Sequence, residues 1–121
     1  MTLARAAALA ALVLAAACDD GTGPHIAALE PTSGPRGQVV AVLGERFCGA
    51  GEGRVAADGS CVRTAGYVLF GIDDVMARAS ALSWTDTRIS VLVPMAAPSG
   101  RVPVVVTVDG VSSNAVDFEV P

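Results

Sequence analysis

The chain has 121 residues, with 12 acidic and 8 basic side chains, and a formal net charge of −4. All eight basic residues are Arg and there is one His, which excludes catalysis by a histidine pair or by a lysine nucleophile. This length predicts one domain of ordinary size. The acidic balance, with no run of basic residues, argues against a nucleic-acid-binding surface.

Residues 1–17 have the pattern of an export signal. Arg5 precedes an unbroken apolar run at residues 6–17, which is shorter than the about 20 residues that a membrane-spanning helix needs. Small residues then lead directly to Cys18. The stretch resembles the lipobox of bacterial lipoproteins, in which the cysteine is acylated and becomes the new N-terminus. A plain secretory signal followed by a chance cysteine is the alternative.

The resemblance to a lipobox implies a membrane partner and a location. A lipid on Cys18 would anchor the exported chain to a membrane of the bacterial cell envelope, in the periplasm or at the cell surface, without crossing it. Residues 18–24 are polar and contain Gly and Pro, which predicts a short flexible tether. The folded domain is then expected at residues 25–121.

The domain has the composition and periodicity of strands. Val and Ile outnumber Leu, and β-branched residues favour pleated surfaces. Asp109 and Gly110 are a strong signal for a two-residue hairpin turn and predict one between the last two predicted strands. Residues 74–82 fit a short helix or a strand equally well. About seven short strands predict an antiparallel, immunoglobulin-like β-sandwich; the main predicted strands are residues 26–29, 38–43, 67–70, 89–93, 102–108 and 116–120.

Three segments, in order, resemble the IPT/TIG domain, the immunoglobulin-like module of plexins, Rel-type transcription factors and many bacterial surface proteins. Residues 31–37 and 40–47 resemble its opening, residues 83–94 its central segment, and Ser113, Asn114 and Phe118 its end. The resemblance implies a non-catalytic spacer or protein-interaction unit. In some bacterial proteins such domains adjoin carbohydrate-binding regions.

One region departs from the family pattern. About twenty residues separate Phe47 from Tyr67, where the family usually has a short loop. The third strand of the sandwich is therefore either residues 54–57 or residues 67–70. We favour the second, because its sequence fits the family better.

Two cysteines, Cys48 and Cys61, remain once Cys18 is assigned to the anchor. An even pair in an exported protein predicts a disulfide. The bridge would close a loop of about 14 residues and contribute about 3 kcal/mol in the chain-entropy model. Free thiols, or a metal site with further ligands, are the alternatives.

No other cluster predicts a reaction or a cofactor. Asp73 and Asp74, with Asp58, offer carboxylates but match no calcium loop, so we interpret them as solvated acidic turns. Residues 33–37 lack the helix and lysine of a phosphate loop. His25 lies at the edge of the domain and is expected to be exposed and idle. We therefore expect no catalytic residue, no metal ion and no cofactor.

The remaining candidates are surface contacts for an envelope protein or a glycan. Tyr67 and Trp84 are the residues able to stack on a sugar ring. A buried Trp84 would favour a structural role and an exposed one glycan binding. The glycine-rich loop at residues 49–60, with Glu52 and Arg54, adds little to a core, and constrained surface loops often carry recognition.

Overall fold

The computed structural model describes residues 23–63, 66–71 and 77–121. The signal-peptide and lipidation predictions, including Cys18, and the acidic pair Asp73 and Asp74 lie outside these residues. In the described part of the chain, no helix is long and apolar enough to cross a membrane. The described residues form nine strands: β1 (His25–Glu30), β2 (Val39–Glu45), β3 (Gly66–Phe70), β4 (Ala77–Arg78), β5 (Ser80–Trp84), β6 (Arg88–Leu92), β7 (Gly100–Val108), β8 (Val111–Ser112) and β9 (Val116–Val120).

These strands form two antiparallel sheets, which confirms the predicted all-β immunoglobulin-like sandwich. The first sheet has the order β1-β2-β6-β5. The second has the order β4-β3-β7, and both β8 and β9 pair with β7. The strand count exceeds the predicted seven because β4 and β5 lie in different sheets with one residue between them, and because β8 and β9 are two pieces of the strand returning beside β7.

The core lies between the sheets and is formed mainly by alternate residues of β3, β6, β7 and β9, together with residues of β1 and β2. Val40 and Val42 of β2 and Ile89 and Val91 of β6 are fully buried from the first sheet. From the second, the rings of Phe70 and Phe118 meet edge to face, with centroids 5.6 Å apart. Valine is the commonest of the buried side chains, so the composition and the period-2 alternation together account for much of the core.

The predicted hairpin between residues 108 and 111 is confirmed. Asp109 and Gly110 have positive φ angles of 52° and 79°. Two consecutive positive φ angles define the type I′ turn, whose twist matches that of the flanking strands, and Asp and Gly tolerate this conformation. The turn joins β7 to β8, and β9 continues the pairing with a register shift of one residue.

Both ambiguities of the sequence are resolved. The third strand is β3 at Gly66–Phe70, as favoured, and residues 54–57 lie in the preceding loop. Within residues 74–82, the described part is extended: β4 pairs with β3 and β5 with β6. The chain thus passes from one sheet to the other here, which explains why its sequence lacks the alternation of a single half-buried strand.

The loops gather at two opposite ends of the sandwich. The end that contains Gly23, the loop after β2 and the turns at residues 85–87 and 109–110 is called the disulfide end. The end that contains residues 31–38 and 93–99 is called the far end. Antiparallel pairing fixes this division, because β1 enters at the disulfide end beside the last residues of β2, and β7 begins at the far end beside the last residues of β9.

Candidate interaction surface

The loop after β2 is closed by a disulfide between Cys48 and Cys61, as the cysteine count predicts. We call residues 49–60 the Cys-closed loop. Its second half is a small hairpin: Val55 pairs with Cys61, and the N–H of Ala56 donates to the carbonyl of Ser60 at 2.8 Å. The insertion is therefore an ordered element with its own backbone hydrogen bonds.

Asp58 stabilises the turn of this small hairpin. One carboxylate oxygen accepts hydrogen bonds from the hydroxyl of Ser60 at 2.6 Å and from its backbone N–H at 3.0 Å. These bonds favour the charged form and lower the pKa of the Asp58 carboxyl below its ordinary value. Asp58 thus has a local structural role. No group of three or more His, Cys, Asp or Glu among the described residues is placed to hold a metal ion.

Arg54 ties the Cys-closed loop to the β7–β8 turn. Its Nε donates to the carbonyl of Cys48 at 3.1 Å, and its guanidinium forms an ion pair and hydrogen bond with the carboxylate of Asp109. The side chain is 22% exposed. Arg54, predicted as a ligand contact, is thus engaged within the chain, and a ligand would have to compete with Asp109 for it.

Glu52 differs from Arg54, because it lies exposed at the tip of the loop between Gly51 and Gly53. Both glycines have positive φ angles, 102° and 71°. Val55 is 45% exposed on the same loop, and Val62, just after the disulfide, is 65% exposed. The exposed part of the loop therefore combines two acidic groups, Glu52 and Asp58, with the apolar side chain of Val55, and Val62 lies just beyond the loop.

The turn between β5 and β6 supports the base of the loop. The carboxylate of Asp86 accepts a hydrogen bond from the N–H of Cys48 at 3.0 Å, and its carbonyl accepts one from the N–H of Phe47, also at 3.0 Å. Sequence analysis did not single out Asp86. The available signal was its place in the segment 83–94 that resembles the family.

Trp84 packs against the protein interior. Its ring is half-buried beside the core, and its indole N–H donates to the carbonyl of Phe47 at 2.7 Å. The ring also lies against Gly66, where an added Cβ would come within 3.1 Å of it. The indole N–H is thus bonded within the chain and the ring packs beside the core, which favours the structural reading of Trp84.

Tyr67 lies on the outer face of the second sheet, where it is half-buried. The guanidinium carbon of Arg78, on the neighbouring strand β4, lies 4.1 Å from the centre of the Tyr67 ring, a cation–π contact. Because successive residues of a strand face opposite ways, Tyr67 and the Trp84 ring beside Gly66 lie on different sides of β3. The two aromatic residues do not form one stacking platform.

The N-terminal segment is also fixed at the disulfide end. The carbonyl of Gly23 accepts a hydrogen bond from Nε of Arg46 at 2.7 Å, and Pro24 is buried. Next along the chain, the amide of Asn114 bonds to both backbone groups of Ile26, at 2.7 and 3.0 Å. Asn114 thereby links β1 to the segment before β9. The family resemblance named Asn114 but did not reveal this link.

Comparisons with known proteins agree with this architecture. A Gamma-CGTASE from alkalophilic Bacillus clarkii is similar in structure, with a TM-score of 0.61 and 27% identity over 84% of this chain and 13% of that one. A protein of unknown function from Bacteroides thetaiotaomicron has the same fold, with a TM-score of 0.62 and 18% identity over 85% of this chain and 23% of that one. No curated protein sequence matches the chain.

This chain thus spans less than a quarter of each of these longer proteins. The likeness concerns a domain-sized part of them. The model of the family described as "IPT/TIG domain" matches residues 24–120, which is nearly all of the described sandwich. The chain therefore belongs to the IPT/TIG domain family.

Proposed function

We propose that this protein is a non-catalytic lipoprotein of the bacterial cell envelope, whose IPT/TIG domain serves as a structural or protein-interaction module. One observation carries the proposal: the side chains at the disulfide end that could take part in chemistry are bonded within the chain. The contacts are those of Arg54 with Asp109, Asp86 with Cys48, and Trp84 with Phe47. Side chains committed to such contacts support a rigid surface.

The family supports this role, since IPT/TIG domains are non-catalytic immunoglobulin-like modules. In the Gamma-CGTASE, the similar region is a small part of a much longer chain. The lipoprotein part rests on the sequence before the domain, in which an apolar run of export-signal length leads to small residues and Cys18.

The anchor is tested by the substitution Cys18→Ala in the producing cell. We expect loss of labelled fatty acid from the protein and its release from the membrane fraction, or accumulation of the uncleaved form. Cys48→Ala with Cys61→Ala is the matched control, because it removes the other two cysteines and should leave the label in place. Label on the Cys18→Ala protein would refute the lipid anchor.

The Cys-closed loop is the proposed contact for a protein or polysaccharide partner. Its backbone is already ordered by the disulfide and the small hairpin, so binding costs little further conformational entropy. Its exposed tip carries Glu52, and Val55 adds apolar area. A polar partner with a complementary positive group fits this surface.

Deletion of residues 50–59, with both cysteines retained, tests this contact. The deleted protein should keep the circular dichroism spectrum of a β-protein and lose capture of a specific envelope partner. Glu52→Gln should weaken the same capture, while Glu30→Gln, which changes an exposed acid on β1, should not. Full capture by the deleted protein would move the site elsewhere, most simply to an exposed strand edge.

Glycan binding is the alternative function, and the position of Tyr67 is the observation that favours it. Its half-buried ring is on the outer face of a rigid sheet with a cation beside it. In native electrophoresis through a gel that contains the polysaccharide, binding slows the migration of the protein. Tyr67→Ala should then abolish this slowing, while Trp84→Phe should leave it unchanged. Equal migration of the Tyr67→Ala and unchanged proteins would exclude this site.

A further inference from the structure

The end of the sandwich at which the chain enters the domain restricts the orientations that a membrane-anchored domain can adopt. The first described residue, Gly23, is held by Arg46 at the disulfide end, and His25 opposite Glu45 begins the pairing of β1 with β2. The chain is thus fixed to this end from Gly23 onward. Everything between the anchor and the fold is the segment from Cys18 to Gly23.

This segment is shorter than the sandwich is long. Five residue steps separate Cys18 from Gly23, and an extended chain advances at most about 3.6 Å per residue, so the tether reaches at most about 18 Å. Strand β7, with nine residues, runs from the far end to the disulfide end. At about 3.3 Å per residue it spans roughly 30 Å. The tether is therefore too short for the domain to turn its far end toward the anchor.

We propose that the disulfide end of the domain faces the membrane and that the far end faces away from it. This orientation rests on the lipid anchor proposed above. It restricts the partners of the Cys-closed loop to molecules that lie at the same membrane surface. A partner free in the aqueous phase would meet the far end, where Met95 is 77% exposed beside a groove of about 500 Å³.

The tether determines this orientation, and attraction to lipid contributes little. Two of the arginines at the disulfide end are paired with carboxylates: Arg54 with Asp109, and Arg46 with Glu45 at 3.4 Å. Glu52 adds negative charge at the loop tip. Among the described residues of this end, acidic and basic groups are mixed and form no polybasic patch that would hold anionic headgroups. We therefore expect the same orientation on neutral and anionic bilayers.

Val62 and Met95 provide matched reporter positions at the two ends, because their side chains are 65% and 77% exposed. The full lipidated protein would carry azidophenylalanine at one or the other position, coupled to a donor dye. It would be inserted into phosphatidylcholine vesicles that contain a headgroup-labelled acceptor lipid. We expect energy transfer from position 62 to exceed that from position 95 at least about two-fold, given the roughly 30 Å between the ends. Equal transfer, or the reverse order, overturns the orientation.

A longer tether separates the tether effect from adhesion. Twenty Gly and Ser residues inserted between Asp20 and Gly21 would give the added segment a root-mean-square span of about 25 Å. The difference between the two positions should then shrink. An unchanged difference would show that adhesion sets the orientation and would overturn the role of the tether.

Two further measurements distinguish a protein that lacks the lipid anchor from an anchored protein that has a different orientation. Mass spectrometry of the purified protein reports acylation of Cys18, and flotation with vesicles reports membrane binding. Absence of both refutes the anchor and the orientation together. Acylated protein that floats with vesicles but shows equal transfer from positions 62 and 95 refutes the orientation alone.

Discussion

The two ends of the sandwich are held together by different means. At the disulfide end, a long insertion is fixed by a covalent bridge and by polar side chains that bond to backbone groups: Asp86 to Cys48, and Trp84 to Phe47. At the far end, Arg36 donates to the carbonyl of Ala97 at 2.9 Å and to the hydroxyl of Ser99 at 3.2 Å, beside an open groove.

The difference follows from what each segment has to bury. The insertion is rich in Gly and Ala, so it offers little apolar area to the core and needs directional bonds to keep one shape. Each far-end loop leads into a valine-rich strand, β2 or β7, and residues such as Val93 and Ala97 are buried in the core cluster. Apolar burial contributes to the order of these loops, together with backbone hydrogen bonds such as that from the N–H of Gly37 to the carbonyl of Val93 at 2.9 Å.

Removal of the disulfide should have the largest effect on the disulfide end. Replacing Cys48 and Cys61 together by Ala should lower the free energy of unfolding by about 3 kcal/mol, since the closed loop restricts the unfolded chain. The protein should still fold, because the bridge fixes the insertion and no strand of either sheet. Urea unfolding followed by circular dichroism measures this. A loss far above 3 kcal/mol would mean that the bridge supports the sandwich itself.

Loss of the indole hydrogen bond should cost less than loss of the bridge. Trp84→Phe keeps an aromatic ring but leaves the carbonyl of Phe47, a fully buried residue, without its donor. An unsatisfied buried acceptor costs about 1–3 kcal/mol.

At the far end, Arg36→Ala should lower the free energy of unfolding by about 0.5–1.5 kcal/mol, measured by urea unfolding in the same way, because one of its two hydrogen bonds is exposed to solvent. A larger cost for Arg36→Ala would contradict the contrast between the ends.

Breaking the ion pair between Arg54 and Asp109 should have a smaller effect. The Asp109 side chain is 41% exposed, so water and salt screen the attraction, and such pairs contribute about 0.2–1 kcal/mol. Asp109→Asn is the suitable variant, because Asn also tolerates the positive φ angle of this turn. The stability difference from the unchanged protein should decrease as NaCl is raised from 0.05 to about 0.5 M. A difference independent of salt would assign the effect to the turn.

The smallest effect concerns pH and Asp58. Because its pKa is lower in the folded chain than in the unfolded one, its contribution is present above the unfolded pKa and is lost as pH falls through the folded pKa. Asp58→Asn should therefore make the melting temperature fall slightly less steeply as the pH drops below about 4. Near pH 7, where the carboxyl of Asp58 stays charged in both states, the slope of melting temperature against pH should not change. Melting curves of both proteins at intervals from pH 2 to about pH 7 measure this. If the melting temperatures of the two proteins differed by the same amount at every pH, the assigned role of Asp58 would be contradicted.

Most of the fold could be predicted because its signals are local. These signals lie within short stretches of the chain: the alternation of apolar residues in β7 and β9, the Asp109–Gly110 turn, and two cysteines 13 positions apart. Prediction was least certain where the chain changes sheet. At β4 and β5 the chain passes from one sheet to the other, and no residue of β5 is buried, so the sequence there lacks the alternation of a half-buried strand.

The candidate site was less predictable, since its side chains meet partners far away in sequence. Arg54 and Glu52 look equally free in a Gly-rich loop, yet Arg54 binds Asp109 across 55 positions and Glu52 stays exposed. The same holds for Trp84 and Phe47, which are 37 positions apart. These contacts exist because the sheets bring loops from different strands to one end.

The sequence by itself thus determined the strands, the hairpin turn, the cysteine pair and the family resemblance, because backbone preferences and side-chain periodicity are properties of neighbouring residues. The tertiary structure decided which charges are free, which aromatic ring is packed, and at which end of the sandwich Gly23 leads into the domain. Those properties depend on the way in which two antiparallel sheets stack. Stacking places Gly23, the Cys-closed loop and the β7–β8 turn together although they lie far apart along the chain.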